Sequence, residues 1–318
     1  MSKIPMSENV IDARGLTKFF GDKCAVDRLD LQVPRGCVFG FLGRNGSGKS
    51  TTLRMLLGLE EPTRGEAEVL GHDCRRLPPS LRERIGYMPE AHPAYGWMTV
   101  AQFARFQSQF YPHWNAKLFD AVIDHFSLAP AARANNLSRG ERAGLCLAAV
   151  IAPEPELLIL DDPALGLDPF ARRALLEAMV QLTRNRERTI VFSSHLLADV
   201  ERVADEIAIL DHSVLRARCR LDTFRERVKS YVLRFDEKAP PVPEFPGLLR
   251  AIRTEREVRL TAVNAHNDVR GAIAGLPSAG VEELEIPLEE AFIDYLGRQG
   301  ERTMLLAEES DGGEEDRL

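Results

Sequence analysis

A glycine-rich segment between an apolar run and a helical pattern constrains the fold of this chain more than any other feature. Residues 43–50 read GRNGSGKS, which has the spacing Gly, four residues, Gly-Lys-Ser. In such a loop, successive backbone N–H groups point at the phosphates of a nucleotide, and the following helix directs its positive N-terminal dipole at the same anion. The alternative is a glycine-rich turn with an exposed lysine. The apolar run 38–42 before the loop and the helical pattern 52–59 after it favour a phosphate site.

The loop also supplies the first candidate ligands. Lys49 is expected to reach the β- and γ-phosphates of the nucleotide, and the Ser50 hydroxyl is expected to ligate Mg²⁺. The residues of the loop that we assign to nucleotide binding are Gly43, Arg44, Asn45, Gly46, Ser47, Gly48, Lys49, Ser50 and Thr51.

Further apolar runs predict the rest of the sheet. Residues 157–160 and 189–192 are short apolar runs, separated by a helical stretch at 169–183. Strands that alternate with helices indicate a largely parallel sheet, so the expected fold class is α/β. Residues 99–128 carry phenylalanines at helical spacing and predict a helical insertion, with a second helix starting near Asn115. We place this insertion within a subdomain of about 91–150.

The character of the sequence changes after about residue 227. A proline-rich stretch at 240–246 precedes a predicted hairpin at 249–263, and a helix is expected at 288–296. We therefore expect a nucleotide-binding domain at 9–227 and a small α+β domain at 228–300. Residues 301–318 are rich in acidic residues and poor in aromatic ones, which is typical of a disordered tail.

Composition excludes some classes of partner and compartment. The net charge of -7 and the pI near 5.6 give no general attraction to nucleic acid, so no nucleic-acid partner is expected. The five cysteines have no metal-ligand or redox-pair spacing, which favours free thiols in a reducing cytoplasm. No apolar run approaches the roughly 18 to 20 residues needed to span a bilayer. Work at a membrane would therefore require a membrane-embedded partner.

An acidic pair follows the apolar run 157–160. Asp161 could hold Mg²⁺ through its water shell, and Asp162 could orient and deprotonate an attacking water. The competing interpretation, that the two carboxylates only cap the next helix, is less favoured because a phosphate loop precedes them in the chain.

The order of the downstream motifs resembles one family. Residues 137–141 (LSRGE) stand about 20 residues before 157–163 (LLILDDP), which are followed by 166–168 (GLD) and 193–195 (SSH). This resembles the signature segment, Walker B strand, D-loop and switch histidine of the ATP-binding-cassette (ABC) family of P-loop NTPases. The resemblance covers residues 9–225 and implies ATP and Mg²⁺ as cofactors.

The resemblance implies roles for several further residues. Ser138 and Gly140 would contact the γ-phosphate of ATP bound to a second subunit, and Asp168 would belong to the D-loop. Residues 85–90 look like the Q-loop, and Glu90 is assigned to catalysis and metal binding. It would accept from the water shell of the metal and touch the coupling helix of the partner. His195 would reach the γ-phosphate and the water, although a lone histidine is more often structural. Phe20 would stack on adenine, and core packing is an equal alternative.

The sequence departs from the family pattern at four positions. Asp162 stands where a glutamate is usual, and a carboxylate displaced by about 1 Å can lower a rate on the order of a hundredfold. Slow hydrolysis and a mixed dimer with a second cassette are therefore open alternatives to ordinary turnover. Arg139 and Glu141 replace the usual glycine and glutamine of the signature segment, and Glu90 replaces the Q-loop glutamine.

The resemblance also suggests partners. Residues 288–292 and the C-terminal domain look similar to the extension on subunits that power ABC-2 type exporters. We expect a homodimer, or a heterodimer with another ABC ATPase, bound to an integral-membrane permease at the inner, cytoplasmic face of the membrane. The alternatives are a soluble cassette ATPase in translation or DNA repair and a slowly hydrolysing regulatory subunit.

Overall fold

The computed structural model describes residues 8–183, 188–263, 268–276, 278, 280–297 and 306–307. The chain forms two compact units, Met1–Leu215 and Arg216–Leu318. Most of the predicted acidic tail, residues 301–305 and 308–318, lies outside the described residues. Within the described ranges, no helix combines the length and apolarity required to cross a membrane.

The first unit contains nine strands and seven α-helices among its described residues. The strands are β1 (Asn9–Phe20), β2 (Lys23–Pro34), β3 (Val38–Gly43), β4 (Arg64–Val69), β5 (His72–Asp73), β6 (Ile85–Met88), β7 (Leu157–Leu160), β8 (Thr189–Ser194) and β9 (Glu206–Asp211). The helices are α1 (Lys49–Leu56), α2 (Pro79–Arg82), α3 (Val100–Ser108), α4 (Ala116–His125), α5 (Arg139–Ile151), α6 (Pro169–Thr183) and α7 (Leu197–Val203).

A parallel sheet carries the glycine-rich loop. Its strand order in this unit is β9-β3-β8-β7-β6, and each neighbouring pair is parallel. Every residue of β3, β7 and β8 is buried, as expected of strands covered on both faces. Because the strands are parallel, the segments that follow β3, β7 and β8 leave the sheet at the same edge. The predicted α/β class is confirmed.

A second sheet in this unit is antiparallel, with the order β2-β1-β4-β5. In β2, buried Leu29, Leu31 and Val33 alternate with more exposed residues, so that one face of the strand enters the core. The tip of the β1–β2 hairpin, where Phe20 and Lys23 pair, projects the end of β1 toward solvent.

The helical insertion begins and ends at residues that satisfy free backbone groups. At the start of α3, the Thr99 hydroxyl accepts from the Gln102 N–H while the Gln102 side chain accepts from the Thr99 N–H, a reciprocal capping box. The Asn115 side chain caps α4, at the residue where a second helix was predicted to start. Both predicted helices of this region are therefore present, and α4 packs against α5.

The second unit is an α+β structure. Strand β10 (Val214–Arg220) runs into it from the first unit and, at residues 217–218, pairs in parallel with β15 (Leu306–Ala307). The remaining elements are α8 (Leu221–Arg227), β11 (Val228–Arg234), β12 (Leu248–Arg253), β13 (Glu257–Val263), α9 (Asp268–Ala274), β14 (Gly280–Leu284) and α10 (Leu288–Gly297).

The sheet of the second unit has the order β12-β13-β11-β14 and is antiparallel throughout. Strands β12 and β13 form the hairpin predicted at 249–263. Buried side chains of β11 and β13, including Leu233 and Leu260, form a separate core with Val269 and Ile273 of α9. This small core is independent of the one beneath the glycine-rich loop.

Candidate nucleotide-binding site

The glycine-rich loop connects β3 to α1, and one of its glycines has no possible substitute. Gly48 adopts φ 108°, and a Cβ atom there would lie 2.2 Å from the Ala25 carbonyl oxygen. Only glycine avoids both the left-handed strain and the clash. The loop therefore passes close to β2 and turns directly into α1, whose first residue is Lys49.

Lys49 is folded back over the loop. Its Nζ donates to the Gly43 carbonyl at 2.7 Å and to the Arg44 carbonyl at 3.2 Å, and the residue is only 7% exposed. Burial lowers the pKa of Lys49, and the nearby carboxylates of Asp162 and Asp161 oppose that shift. The Lys49 ammonium group therefore donates to two backbone carbonyls. The oxygens of a bound phosphate would replace these carbonyls as acceptors.

A hydroxyl–carboxylate network joins three segments below the loop. Ser50 Oγ donates to Asp161 Oδ1 at 2.9 Å, and Ser193 Oγ donates to the same oxygen at 2.8 Å. Hydroxyl and carboxylate oxygens are the hard ligands that Mg²⁺ prefers, and Mg²⁺ usually takes one or two protein oxygens together with the phosphates of the substrate. Ser50 and Asp161 fit that requirement. The described residues contain no cluster of three or more acidic, histidine or cysteine ligands.

The second carboxylate of the pair is held by the predicted switch histidine. Asp162 Oδ2 lies 2.7 Å from His195 Nδ1, and the Asp162 N–H donates to Ser193 Oγ at 2.8 Å. An ionised carboxylate only accepts, so Nδ1 carries the proton of this hydrogen bond when Asp162 is ionised. Burial raises the pKa of Asp162, and His195 and Lys49 act against that shift. Asp162 also has φ 42°, a left-handed conformation that is uncommon for a residue with a side chain.

The acidic pair does not cap the following helix. Asp168 Oδ1 accepts from the N–H groups of Phe170 and Ala171 at 2.9 and 3.1 Å and so caps α6. Asp161 and Asp162 instead face Ser50 and His195. The capping interpretation of the pair is therefore excluded by the geometry.

An open cavity of about 350 Å³ lies over the loop. The predicted site residues that line it are Phe20, Asn45, Gly46, Gly48, Lys49, Ser50, Thr51, Glu90 and Asp162. Lys23, Ala25, Leu165 and Ser193 also line the cavity and were missed from the sequence. Ser193 had a usable signal, because it is two residues before His195 at the end of a predicted strand. The other three carried none.

The remaining predicted residues lie outside the cavity lining. Gly43, Arg44 and Ser47 belong to the loop itself, whereas Asp161 and His195 reach the cavity through Ser50 and Asp162. Ser138, Gly140 and Asp168 form a separate group at the start of α5 and α6. A Cβ atom on Gly140 would lie 3.8 Å from Asp168 Oδ2 and only 2.3 Å from Ala171 Cβ.

Phe20 is placed where a flat ring could be stacked on a ligand. Its side chain is 48% exposed at the rim of the cavity, with Lys18 Nζ 4.9 Å from the ring centre. An exposed ring contributes little to a core, so the core-packing alternative is excluded for Phe20.

The signature segment starts a helix with a capping box. Ser138 Oγ accepts from the Glu141 N–H at 3.2 Å, and Glu141 Oε2 accepts from the Ser138 N–H at 2.7 Å. Glu141, which replaces the usual glutamine, therefore caps the start of α5. A carboxylate suits this position because it accepts a backbone N–H and its charge favours the helix N-terminus. Arg139 lies over Gly166, where a Cβ atom would be 2.6 Å from Nη1.

A parallel sheet defines a P-loop NTPase when a phosphate loop follows one strand and an acidic pair follows another strand at the same edge. Here these strands are β3 and β7, and β8 lies between them. Residues 26–165 match the protein family described as ABC transporter. The chain is 32% identical over 225 residues to the bacitracin transport ATP-binding protein BcrA of Bacillus licheniformis, covering 70% of this chain and 74% of that protein. This chain belongs to the ABC transporter family and is an ATP-binding and ATP-hydrolysing transporter subunit.

Two further relatives and a solved structure agree. The daunorubicin/doxorubicin resistance ATP-binding protein DrrA of Streptomyces peucetius is 32% identical over 306 residues, which is 90% of this chain and 92% of DrrA. The Nod factor export ATP-binding protein I of Rhizobium sp. (strain N33) is 31% identical over 309 residues, 93% of this chain and all of that protein (100%). A solved ATP-binding subunit of an ABC transporter superposes with a TM-score of 0.62 at 29% identity, covering 68% of this chain and 92% of that chain.

Proposed function

We propose that this subunit hydrolyses Mg-ATP with Asp162 as the general base and that it drives an exporter. The observation that carries the catalytic part is the 2.7 Å hydrogen bond between Asp162 and His195 beside a cavity lined by Lys49 and Ser50. It brings together a base, a residue that orients it, and a phosphate-binding loop. Phosphoryl transfer to water needs mainly positioning and charge neutralisation, and these residues supply both.

The proposed step is an in-line attack of water on the γ-phosphate. The water oxygen forms a bond to the γ-phosphorus while Asp162 accepts a proton from the water. At the same time, the bond between the γ-phosphorus and the oxygen of the ADP leaving group breaks. Lys49 leaves the Gly43 carbonyl for the phosphate oxygens and offsets their charge. His195 holds the Asp162 carboxylate toward the water. Mg²⁺ bound by Ser50 and Asp161 would neutralise charge on the phosphate oxygens. Glu90 is proposed to assist at the metal, and Phe20 is proposed to stack on adenine.

The short side chain of Asp162 favours a second candidate, a slowly hydrolysing subunit. Its carboxylate is one methylene shorter than the usual glutamate, which could leave the base too far from the water. The hydrogen bond to His195 and the left-handed backbone at Asp162 support the first candidate instead, because they fix this shorter side chain in one orientation. The two candidates differ only in turnover.

Steady-state hydrolysis of Mg-ATP separates them. We would compare the purified chain with Lys49→Ala, Asp162→Asn and Asp162→Glu. A working base predicts a rate that Asp162→Asn lowers about a hundredfold or more and that Asp162→Glu does not raise. If Asp162→Glu is instead more than tenfold faster than the native chain, the site is damped. A rate unaffected by Asp162→Asn would refute Asp162 as the base.

We propose an integral-membrane permease as the partner, contacted through an exposed aromatic cluster. Tyr95, Trp97 and Phe110 are 49%, 68% and 63% exposed, and Phe106 joins them with ring centres 5.3 Å from Tyr95 and 5.0 Å from Phe110. Aromatic side chains gathered on a surface are typical of protein interfaces. The names of the relatives, which refer to transport, export and drug resistance, support an exporter.

The permease proposal places the chain in the cytoplasm, at the inner face of the membrane. Co-expression with the permease should bring the chain into the membrane fraction, and Trp97→Ala should reduce that recovery at least fivefold. Leu59→Ala is a matched control, since Leu59 is 62% exposed and lies just after α1. Equal recovery of the Trp97 and Leu59 variants would exclude the aromatic cluster as the contact.

Two cassettes are proposed to close around ATP, as a homodimer or with a second ABC ATPase. Ser138 and Gly140 would then contact the γ-phosphate held by the other subunit, with Asp168 beside them. These three residues do not line the cavity of their own chain, which is consistent with a contact to ATP bound by the other subunit. Light scattering of Asp162→Asn with and without ATP tests this arrangement. A mass that remains that of one chain with ATP bound would exclude the homodimer.

A further inference from the structure

An ion pair with a buried carboxylate links α6, which follows the Asp162 loop, to α7, which follows His195. Arg172 of α6 donates through Nε to Asp199 Oδ1 of α7. The Asp199 side chain is 3% exposed, and its second oxygen, Oδ2, is buried with no hydrogen-bond partner in the described part of the chain. A carboxylate so deeply buried needs its cation, because removing one partner of such a pair leaves an uncompensated charge.

Arg172 and Asp199 each follow a residue of a site loop by four positions in the sequence. Arg172 is four residues after Asp168, whose carbonyl accepts from the Arg172 N–H at 3.0 Å. Asp199 is four residues after His195, and its N–H donates to the Leu196 carbonyl at 3.2 Å. The ion pair is therefore tied by one backbone hydrogen bond to each loop, the loop after Asp162 and the loop that carries His195.

We propose that Arg172 and Asp199 are positioning residues for hydrolysis, which hold His195 at hydrogen-bond distance from Asp162. Neither residue contacts the cavity, so both act through the loops. This inference rests on the proposed roles of Asp162 and His195. The hydrogen bond between those two side chains joins segments 33 residues apart in the chain. Ser193 also bonds to Asp161 and Asp162, but it precedes His195, whereas the ion pair is a bridge on the C-terminal side of His195. Besides this pair, α6 and α7 are joined by the ion pair of Arg202 with Glu177, whose atoms are 3.8 Å apart and whose side chains are 46% and 41% exposed. An ion pair so exposed contributes little, and apolar contacts between the helices are not directional.

The proposal separates turnover from nucleotide binding. The residues that line the cavity come from the β1–β2 hairpin, the phosphate loop with α1, and the loops after β6 and β7, with Ser193 from β8. Neither α6 nor α7 contributes to that lining. Loss of the ion pair should therefore displace His195 from Asp162 and leave the ATP-contacting residues in place. Displacement of a catalytic group by about 1 Å lowers a rate on the order of a hundredfold.

The test uses the full chain with Asp199→Asn, Arg172→Ala and Arg172→Lys. Asp199→Asn and Arg172→Ala are expected to lower kcat for ATP at least tenfold while KM changes less than threefold, and Arg172→Lys should recover part of kcat. Arg173→Ala is the matched control, because Arg173 is the next residue of α6 and pairs with Glu177 on the exposed surface. Its kcat should stay within twofold of the native value. All rates are taken well below the melting temperature of each variant.

A second readout does not depend on turnover. The imidazole ¹⁵N signals of His195, assigned by their absence in His195→Gln, should move in Asp199→Asn and stay in place in Arg173→Ala. Unchanged kcat and unchanged His195 signals with a lowered melting temperature would overturn the proposal and leave a purely stabilising pair. If the native chain proves not to hydrolyse ATP, the proposed function fails, and the His195 signals still decide whether the ion pair positions that side chain.

Discussion

Gly140 should be required for close packing of two helices, independently of any contact with phosphate. An added Cβ atom would lie 2.3 Å from Ala171 Cβ, whereas carbon atoms in contact stand about 3.5–4.0 Å apart. Gly140→Ala must therefore push α5 from α6 by more than about 1 Å or distort the first turn. Overpacking of this kind costs about 1–3 kcal/mol, and the better helix propensity of alanine offsets up to about 1 kcal/mol of it.

The compensating change is Ala171→Gly, which removes the atom that would be struck. Alone it should cost about 1 kcal/mol through helix propensity. Combined with Gly140→Ala it should restore stability to near the native value, because the clash disappears and the two propensity terms cancel. The double-mutant cycle should therefore give a favourable coupling free energy of about 1–3 kcal/mol.

Urea unfolding followed by tryptophan fluorescence measures this coupling in the correct unit, because both tryptophans, Trp97 and Trp114, lie in the first unit. Additive effects, with a coupling below about 0.5 kcal/mol, would refute the packing role. ATP hydrolysis by the same four proteins then shows whether packing is the whole role of Gly140. Stability without activity in the double variant would indicate that the backbone at residue 140 also needs to approach phosphate closely.

Three further predictions follow from single sites. Lys49→Ala should reduce ATP hydrolysis to below about 1% of the native rate, since one charge-neutralising contact is worth on the order of 10²–10³ in kcat; native-like hydrolysis in a phosphate-release assay would contradict the site. Phe20→Ala should weaken ATP binding about tenfold in calorimetry, and Phe19→Ala, at a neighbouring residue that is also exposed but does not line the cavity, should not. Burial raises the pKa of the Cys146 thiol to about 12, so at pH 8 iodoacetamide should label half-buried Cys37 and leave Cys146 unmodified by peptide mass analysis; fast labelling of Cys146 would show that α5 opens.

Much of the first unit could be predicted because its signals are local. The apolar run 157–160 coincides with β7, the helical stretch 169–183 coincides with α6, and Asn115 caps the helix expected to start there. Helix α1 begins at Lys49, three residues before the predicted start, because the end of the loop is itself the first helical turn. Lys49 and Ser50 belong both to the phosphate-loop motif and to α1. The pattern of apolar residues does not reveal this overlap, because both residues are polar.

The parts of the site that the sequence left open depend on contacts between distant segments. Whether Phe20 packs in the core depended on its exposure at the tip of a hairpin, and an aromatic residue has the same sequence signal whether it is buried or exposed. The pairing of Asp162 with His195 depends on β7 and β8 being neighbours in the sheet, which alternation of apolar runs does not specify. The order of strands in the second unit was likewise not predictable, since β11 pairs with β13 and with β14 across long stretches of chain.

The departures from the family pattern have different physical consequences, although each changes one side chain. Glu141 completes a capping box in which its charge also suits the N-terminus of α5, so this position needs no compensation elsewhere. The side chain of Arg139 lies across Gly166. It fits there because Gly166 has no side chain, since a Cβ atom at residue 166 would strike the Arg139 guanidinium. Asp162 differs from both, since its shorter carboxylate is fixed by a hydrogen bond to the residue with which it is proposed to act. Of the four departures, Glu141 and Arg139 are therefore accommodated by local structure, and Glu90 lines the cavity. Turnover is proposed to depend on the fourth, Asp162.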